Sequence, residues 1–343
     1  MNQKSKPVPD SWTVLSMLEW ATDYFTTHHI DQPRLSIEWL LAEVLGIPRL
    51  NLYLQFDRPL TSLELDTLRP MVKRRAAHEP LQYISGKAAF MSRDFSVNPF
   101  VLIPRPETEE LTAMILKEHP GRVVDVDGMR LEEEVGSMSE ERGVAFDSDS
   151  FLDIDSFTVL DIGTGSGCII TTLAAERPSW HCFGLDISED ALVVARQNAE
   201  AYQADVHFLM GDLVELGGSA ELAESAELGG SAELSGSSGP DLPSQFDLIV
   251  SNPPYIHPDE AGEMDRQVLD FEPKTALFAE NPLAVYDAII RYAAKTLTGK
   301  GQLYLELNAQ LSDQILALSL EYFQQAELRK DDAGKNRFLV AKK

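Results

Sequence analysis

Cysteine is almost missing from this chain of 343 residues: Cys168 and Cys182 are the only two, and they form no Cys-x-x-Cys pair. Both lie in apolar stretches, so a disulfide framework and a thiolate metal site drop out and two buried reduced thiols are expected. The seven histidines show no metal-ligand spacing. His28 and His29 are adjacent, which helical geometry points apart, so they read as a surface pair at a helix end and no metal is expected. A run of about 18 apolar residues, the length a membrane helix needs, is also lacking. The N-terminus, MNQKSKPVPDSWTVLSMLEW, has no uninterrupted apolar core and soon carries Glu19 and Asp23. No signal peptide or membrane association is read there, and a cytoplasmic address is expected.

Basic residues are scarce too, with 29 Lys and Arg against 55 Asp and Glu, for a net charge of -26. Each phosphate contact of a nucleic-acid interface would have to overcome that field, so direct nucleic-acid binding is not expected. The deficit is concentrated. Residues 121–156 hold eleven acids against three arginines, and residues 213–245 hold six acids and no base. These segments, at about 120–156 and 213–245, read as acidic inserts. The second contains GGSAEL, AESAEL and GGSAEL at 217–234, followed by SGSSGP. Such a composition cannot bury enough surface to offset its ordering entropy, so a surface loop is expected.

With 44% hydrophobic residues the chain has enough apolar material for two domains. Residues 1–80 read as helical. Val14, Leu15, Leu18, Ala21 and Phe25 recur at three and four after a cap at Asp10 or Ser11. A second stripe, with Trp39, Leu40 and Val44, stops at Gly46, and Thr61 with Glu64 forms a capping box ahead of Leu65, Leu68 and Val72. The aromatic residues of these helices are expected in their core. Residues 81–105 read as a linker, taken as a β-hairpin, and a further domain is placed at 106–343.

From residue 157 the pattern changes. TVLDIG (158–163), HCFGLD (181–186), VHFLMGD (206–212), FDLIVSN (246–252) and GQLYLELN (301–308) are short apolar runs separated by helical stretches such as DALVVARQNAEAY. That alternation implies an α/β fold with a mostly parallel, doubly wound sheet. Ligands of such sheets bind at the carboxyl ends of the strands, near the point where strand order reverses.

The motifs stand at those ends. The first run closes in DIGTGSG, where Gly163, Gly165 and Gly167 allow a tight turn and a close approach of backbone to ligand. There is no Gly-Lys-Ser/Thr of a nucleotide phosphate loop, and GxGxG is not the GxGxxG of a dinucleotide fold. The second run ends in Asp186, placed to accept from a ribose diol, and Asp212 follows the third, placed for an adenine amino group. The fourth run meets Asn252-Pro253-Pro254-Tyr255. Proline cannot donate to a ladder and restricts the residue before it, so this strand must end near Ser251 in a rigid corner.

Taken together the set resembles the S-adenosylmethionine-dependent methyltransferases of amino nitrogens, in which [DNS]PP[YF] occupies this place. VLIPRPETEEL (101–111), PLQYISGKAAF (80–90), FEPKTAL (271–277) and DDAGKNRF (331–338) extend the likeness over the chain outside the inserts. They resemble the HemK/PrmC family of protein-(glutamine-N5) methyltransferases, which modify peptide chain release factors. The resemblance implies a Rossmann-like class I methyltransferase domain with a mostly parallel seven-stranded sheet and a small N-terminal helical domain that recognises the substrate. It implies S-adenosylmethionine as cofactor, S-adenosylhomocysteine as product, no metal, a release factor as protein substrate, and a monomer. Gly163, Thr164, Gly165, Ser166, Gly167, Asp186, Asp212, Leu213 and Asn252 would hold the cofactor; Asn252, Pro253, Pro254 and Tyr255 would carry the transfer. Arg105 and Glu107 would pin the linker to the sheet, and Leu102 would border the glutamine channel. A ribosomal-protein glutamine, a nucleic-acid adenine, and a non-enzymatic cofactor-binding protein are the alternatives.

Overall fold

The computed structural model describes residues 11–120, 157–212 and 242–343. The expectations placed on the inserts, apart from residues 242–245, and on Leu213 lie outside the described residues. The chain divides into two units, one formed by residues up to 104 together with 254–282, the other by 105–253 together with 283–343. Among the described residues no helix is long and apolar enough to cross a membrane.

In the first unit, α1 (Val14–Thr27), α2 (Pro33–Leu45) and α3 (Ser62–Ala76) bury Val14, Leu18, Ala21, Phe25, Ile37, Leu41, Leu68 and Val72 against one another. Of the α1 stripe read from the sequence, Val14, Leu18, Ala21 and Phe25 are buried in the packed face, whereas Leu15 is half-buried. The cap of α1 is Thr13 instead of Ser11: its Oγ1 accepts from Ser16 N at 3.2 Å, and Ser16 Oγ in turn accepts from Thr13 N at 2.8 Å. The reciprocal bonding is what decides, since a hydroxyl three residues along can answer Thr13. The box on α3 forms as read. Its Glu64 is held at about 2 by hydrogen bonding from Arg58 and from the Thr61 N–H. Trp39 departs from expectation, being 51% exposed with the Arg49 guanidinium 5.6 Å from its ring centroid, whereas Phe25 is fully buried. After the short helix α4 (Leu81–Ser85), β1 (Lys87–Phe90) and β2 (Arg93–Ser96) pair antiparallel. Their two-residue turn, Met91 and Ser92, has both residues at positive φ, which gives a twist matching the strands.

The second unit is built on a seven-stranded sheet. It opens with α5 (Pro106–Glu118), followed by β3 (Thr158–Ile162), α6 (Cys168–Glu176), β4 (His181–Asp186), α7 (Glu189–Ala201), β5 (Val206–Met210) and β6 (Phe246–Ser251). β7 (Leu297–Glu306), β8 (Gln325–Lys330) and β9 (Asn336–Lys342) complete it, and the order is β5-β4-β3-β6-β7-β9-β8. The first five strands run parallel; β9 runs antiparallel to β7, and β8 antiparallel to β9. Parallel neighbours need a crossover, and helices supply it, whereas β8 and β9 are joined by a tight turn with Gly334 at φ +80°. Strand order reverses at β3, which has β4 on one side and β6 on the other.

β7 begins at Leu297, four positions before the run read from the sequence, and its pairing with β6 shifts register between Phe246 and Leu248. The Asp247 carboxylate spans the shift: Oδ2 accepts from Thr158 N at 2.9 Å and Oδ1 from Thr298 Oγ1 at 3.0 Å. One side chain on β6 thereby holds the start of both neighbouring strands. Asp247→Ala should lower stability by about 1–3 kcal/mol, the cost of leaving such donors without a partner. Chemical denaturation of the two proteins measures it, and an unchanged midpoint would show that the bonds are dispensable.

Candidate active site

Parallel register brings the motifs to one edge of the sheet. Ile162 at the end of β3 pairs with Leu185 on β4 and with Ser251 on β6, so Gly163, Asp186 and Asn252 follow in adjacent positions. Asp186 pairs with Met210, which puts Asp212 two residues past the end of β5 on the same edge. This is the carboxyl edge at the reversal of strand order, where the sequence placed the site.

The glycine loop is shaped by bonds to the end of β4. Gly163 N and Thr164 N both donate to the Leu185 carbonyl, at 2.8 and 3.0 Å. Gly165 N donates to Asp186 Oδ2 at 2.8 Å, and Ser188 N to Asp186 Oδ1 at 2.9 Å. Gly167 caps α6 at φ +73°, and a Cβ there would lie 3.0 Å from the Ala195 side chain on α7. Only glycine satisfies both the left-handed backbone and the helix contact. Asn198 Nδ2, also on α7, donates to the Ser166 carbonyl at 2.8 Å and closes the loop from behind.

Two acids are bonded to the glycine loop. Asp161 is fully buried, and Thr164 Oγ1 donates to its Oδ2 at 2.7 Å. Its Oδ1 accepts no hydrogen bond of normal geometry among the described residues. Burial raises the Asp161 carboxyl from 3.8 to about 7, and the neighbouring Asp186 charge adds to the rise against the Thr164 bond. Desolvation raises Asp186 as well, opposed by its backbone N–H donors. A buried acid with an unanswered oxygen beside a second carboxylate is an arrangement that favours a cation. The cysteines take no part in this: both are free and buried, with thiols pushed up to about 12 by desolvation.

On the other flank, β6 delivers Asn252. Ser251 Oγ donates to the Ile162 carbonyl at 2.7 Å, fastening the end of β6 to the end of β3. Asn252 Nδ2 donates to Thr108 Oγ1 at 3.1 Å, and Thr108 Oγ1 donates to Glu306 Oε2 at 2.7 Å. Thr108 stands in the first turn of α5 and Glu306 ends β7; both are buried. The sequence reading named neither. Thr108 lies inside IPRPETE, where the charged neighbours drew attention, and Glu306 lies in an apolar run, where an acid with no solvent is the signal that was available. Pro253 is buried, while Pro254 and Tyr255 are half-buried and begin the segment that belongs to the other unit. There Ile256 forms a bridge with Phe278.

Residues 16–86 match the PrmC N-terminal domain, and residues 154–326 match a methyltransferase domain. The chain is 36% identical over 327 residues to the release factor glutamine methyltransferase of Chlorobaculum tepidum, covering 95% of both chains. It is 32% identical over 336 residues to the release factor glutamine methyltransferase of Leptospira interrogans, covering 97% of this chain and 98% of that one. The chain belongs to the release factor glutamine methyltransferase family. The likeness read from IPRPETE and NPPY is thus borne out, as is the expected fold, a mostly parallel methyltransferase sheet with an N-terminal helical region. In this member of the family the carboxyl edge of the sheet carries the glycine loop, both acids and Asn252.

Asp161 gives this edge a pH signature. The fold holds the Asp161 proton more tightly than the unfolded chain does, so this group's contribution to stability falls as pH rises from 3.8 to about 7 and stays low above it. Asp161→Asn removes the titration. Thermal melts across that window, without ligand, should show the melting temperature of the original protein dropping relative to that of the variant as pH rises. A difference independent of pH would mean that Asp161 ionises like an exposed carboxyl.

Proposed function

We propose that this chain transfers a methyl group from S-adenosylmethionine to the side-chain amide nitrogen of the glutamine in the Gly-Gly-Gln motif of peptide chain release factors. Two bodies of observation support the reading: membership of the family, and an asparagine side chain set at the carboxyl edge of the sheet next to the glycine loop. The residues present suit a cationic nucleoside. Asp161 Oδ1 is buried and accepts no hydrogen bond of normal geometry among the described residues, and a Cβ on Gly165 would meet nothing nearer than a carbonyl at 4.0 Å, so that face of the loop is open. When bound, S-adenosylmethionine supplies a methyl group on a positively charged sulfur.

In this reading Gly163, Thr164, Gly165, Ser166 and Gly167 line the methionine and ribose side of the cofactor, and Asp186 binds the ribose with the lone pairs that Gly165 and Ser188 leave free. Asp212 faces the adenine. A glutamine amide nitrogen is a poor nucleophile because its lone pair is delocalised into the carbonyl. No ordinary side chain can deprotonate it at neutral pH. Asn252 Oδ1 and a backbone carbonyl of the Pro253-Pro254 corner each accept one amide N–H, which orients the nitrogen and stabilises the positive charge that grows on it. Tyr255 offers an aromatic face worth about 0.5–2 kcal/mol to a cation or amide. The helical region of residues 10–80 is assigned to recognition of the release factor, the protein is read as a monomer, and a soluble translation factor as substrate gives a cytoplasmic address.

The deciding experiment supplies methyl-labelled S-adenosylmethionine with a purified release factor, ribosomal proteins or adenine-containing nucleic acid, and locates the label by mass spectrometry. Label on the Gly-Gly-Gln glutamine is expected; label on another class of acceptor would replace this reading. Asn252→Ala should cut turnover by about 10²- to 10³-fold, the cost of one preorganised polar partner, and leave cofactor affinity within a few-fold. Asp186→Ala should chiefly weaken cofactor binding in calorimetry. Unchanged affinity would detach Asp186 from the ribose.

A further inference from the structure

An asparagine amide presents two ends of almost equal size and opposite polarity. Only the oxygen can accept an N–H from a substrate amide; the –NH₂ end would set donor against donor. The proposed reaction therefore needs one of the two orientations of Asn252, and the covalent structure of asparagine does not choose between them.

The surroundings of Asn252 choose. We infer that Thr108 and Glu306 are positioning residues that fix the Asn252 amide with its oxygen toward the reacting nitrogen, an inference that rests on the glutamine-transfer reading above. Thr108 Oγ1 donates its single hydroxyl proton to Glu306 Oε2 at 2.7 Å. The remaining lone pairs of Thr108 Oγ1 can then only accept, and what lies 3.1 Å away is Asn252 Nδ2. The –NH₂ end of Asn252 is drawn to Thr108 and Oδ1 is left for a donor from outside. A reversed amide would put Oδ1 against a hydroxyl that has no proton to give.

The relay is held on all sides. Thr108 and Glu306 are 3% and 1% exposed, so water does not compete for these bonds. The Thr108 carbonyl accepts from Thr112 Oγ1 at 2.9 Å, which seats it in the first turn of α5. The Glu306 carbonyl accepts from Tyr286 Oη at 3.1 Å, and that hydroxyl oxygen accepts from Asn308 N at 3.2 Å, so the end of β7 is pinned as well. A buried carboxylate is expensive, and a structural role would be met more cheaply by an apolar side chain of similar volume. Setting the polarity of a neighbouring amide is something an apolar residue cannot do.

Thr108→Val keeps the shape and removes the hydroxyl. The expected result is a fall in kcat of about 10- to 100-fold for release-factor methylation, from lost orientation of one partner, with cofactor Kd little changed and the melting temperature lowered, because two buried polar groups lose their partner. Thr108→Ser should restore most of the rate, and Thr108→Ala serves the same comparison if the valine variant does not fold. In an Asn252→Ala background the Thr108→Val change should have no further effect on turnover, because nothing is left to orient. A readout free of substrate is the solvent exchange of the Asn252 side-chain amide protons by NMR, identified by their loss in Asn252→Ala. One proton should be protected in the original protein, exposed in Thr108→Val and protected again in Thr108→Ser. Failure of the original protein to methylate any glutamine would sink the functional reading, yet the exchange measurement would still decide the relay. The inference is overturned if Thr108→Val retains full kcat, lowers turnover equally with and without Asn252, or leaves amide exchange unchanged.

Discussion

The carboxylate of Asp186 is the joint on which the proposed cofactor site depends. It stands at the end of β4, yet one of its oxygens accepts from Gly165 in the loop after β3 and the other from Ser188 in the loop after β4. The Leu185 carbonyl just before it takes two further N–H groups, from Gly163 and Thr164. A loop with left-handed glycines has many accessible conformations, and its shape has to be imposed from outside. Two consecutive residues of β4 do so, using acceptors that parallel pairing has already brought to the edge. Once the loop is fixed, Gly167 can come close to α7 and α6 can start where it does.

The same economy has a cost in charge. Asp161 and Asp186 are both drawn out of water at one edge of the sheet, and each is raised by desolvation. Neither is lowered by a basic side chain, in contrast to Glu38 in the helical unit, where burial is outweighed by hydrogen bonds from Tyr53, Arg34 and Arg49. Glu38 is a finished structural network. The pair at the sheet edge is answered by backbone N–H groups and one hydroxyl and stays raised by desolvation, an arrangement more often met at binding sites than in a core.

Much of this could be read before the structure. The glycine turn, Asp186 and Asn252 each end an apolar run, and in a parallel sheet the ends of successive runs share an edge, so sequence order alone brings them together. The antiparallel strand β8 was not legible in the same way: its alternation of exposed and half-buried residues, from Gln325 to Lys330, leaves no apolar run to find. Thr13 was passed over as a cap because its partner is a serine instead of the usual Glu or Gln. Trp39 looked like core because aromatic residues on an amphipathic helix usually are, but Arg49 gives its face a partner at the surface. What the sequence could not show is that Thr108 and Glu306 meet Asn252, and the reason is topological. They reach Asn252 from a helix start and a strand end 144 residues before it and 54 after it, and no spacing rule connects such positions.

The double proline after Asn252 now has a physical setting. β6 is tied to β3 through the Ser251 hydroxyl as well as the strand ladder, so the backbone entering Asn252 is fixed. The backbone leaving it runs into Pro253 and Pro254, whose rings fix φ and provide no N–H to bond elsewhere. With the chain immobilised on both sides and the side-chain nitrogen committed to Thr108, the remaining freedom of Asn252 is small. Polar groups accelerate a reaction mainly when their orientation is settled before the reaction begins, because reorganising them afterwards consumes what they contribute. Apolar strands, a hydroxyl, a buried acid and two rings thus converge on one amide oxygen, and that convergence makes a side chain as uncharged and non-basic as asparagine sufficient for the task proposed here.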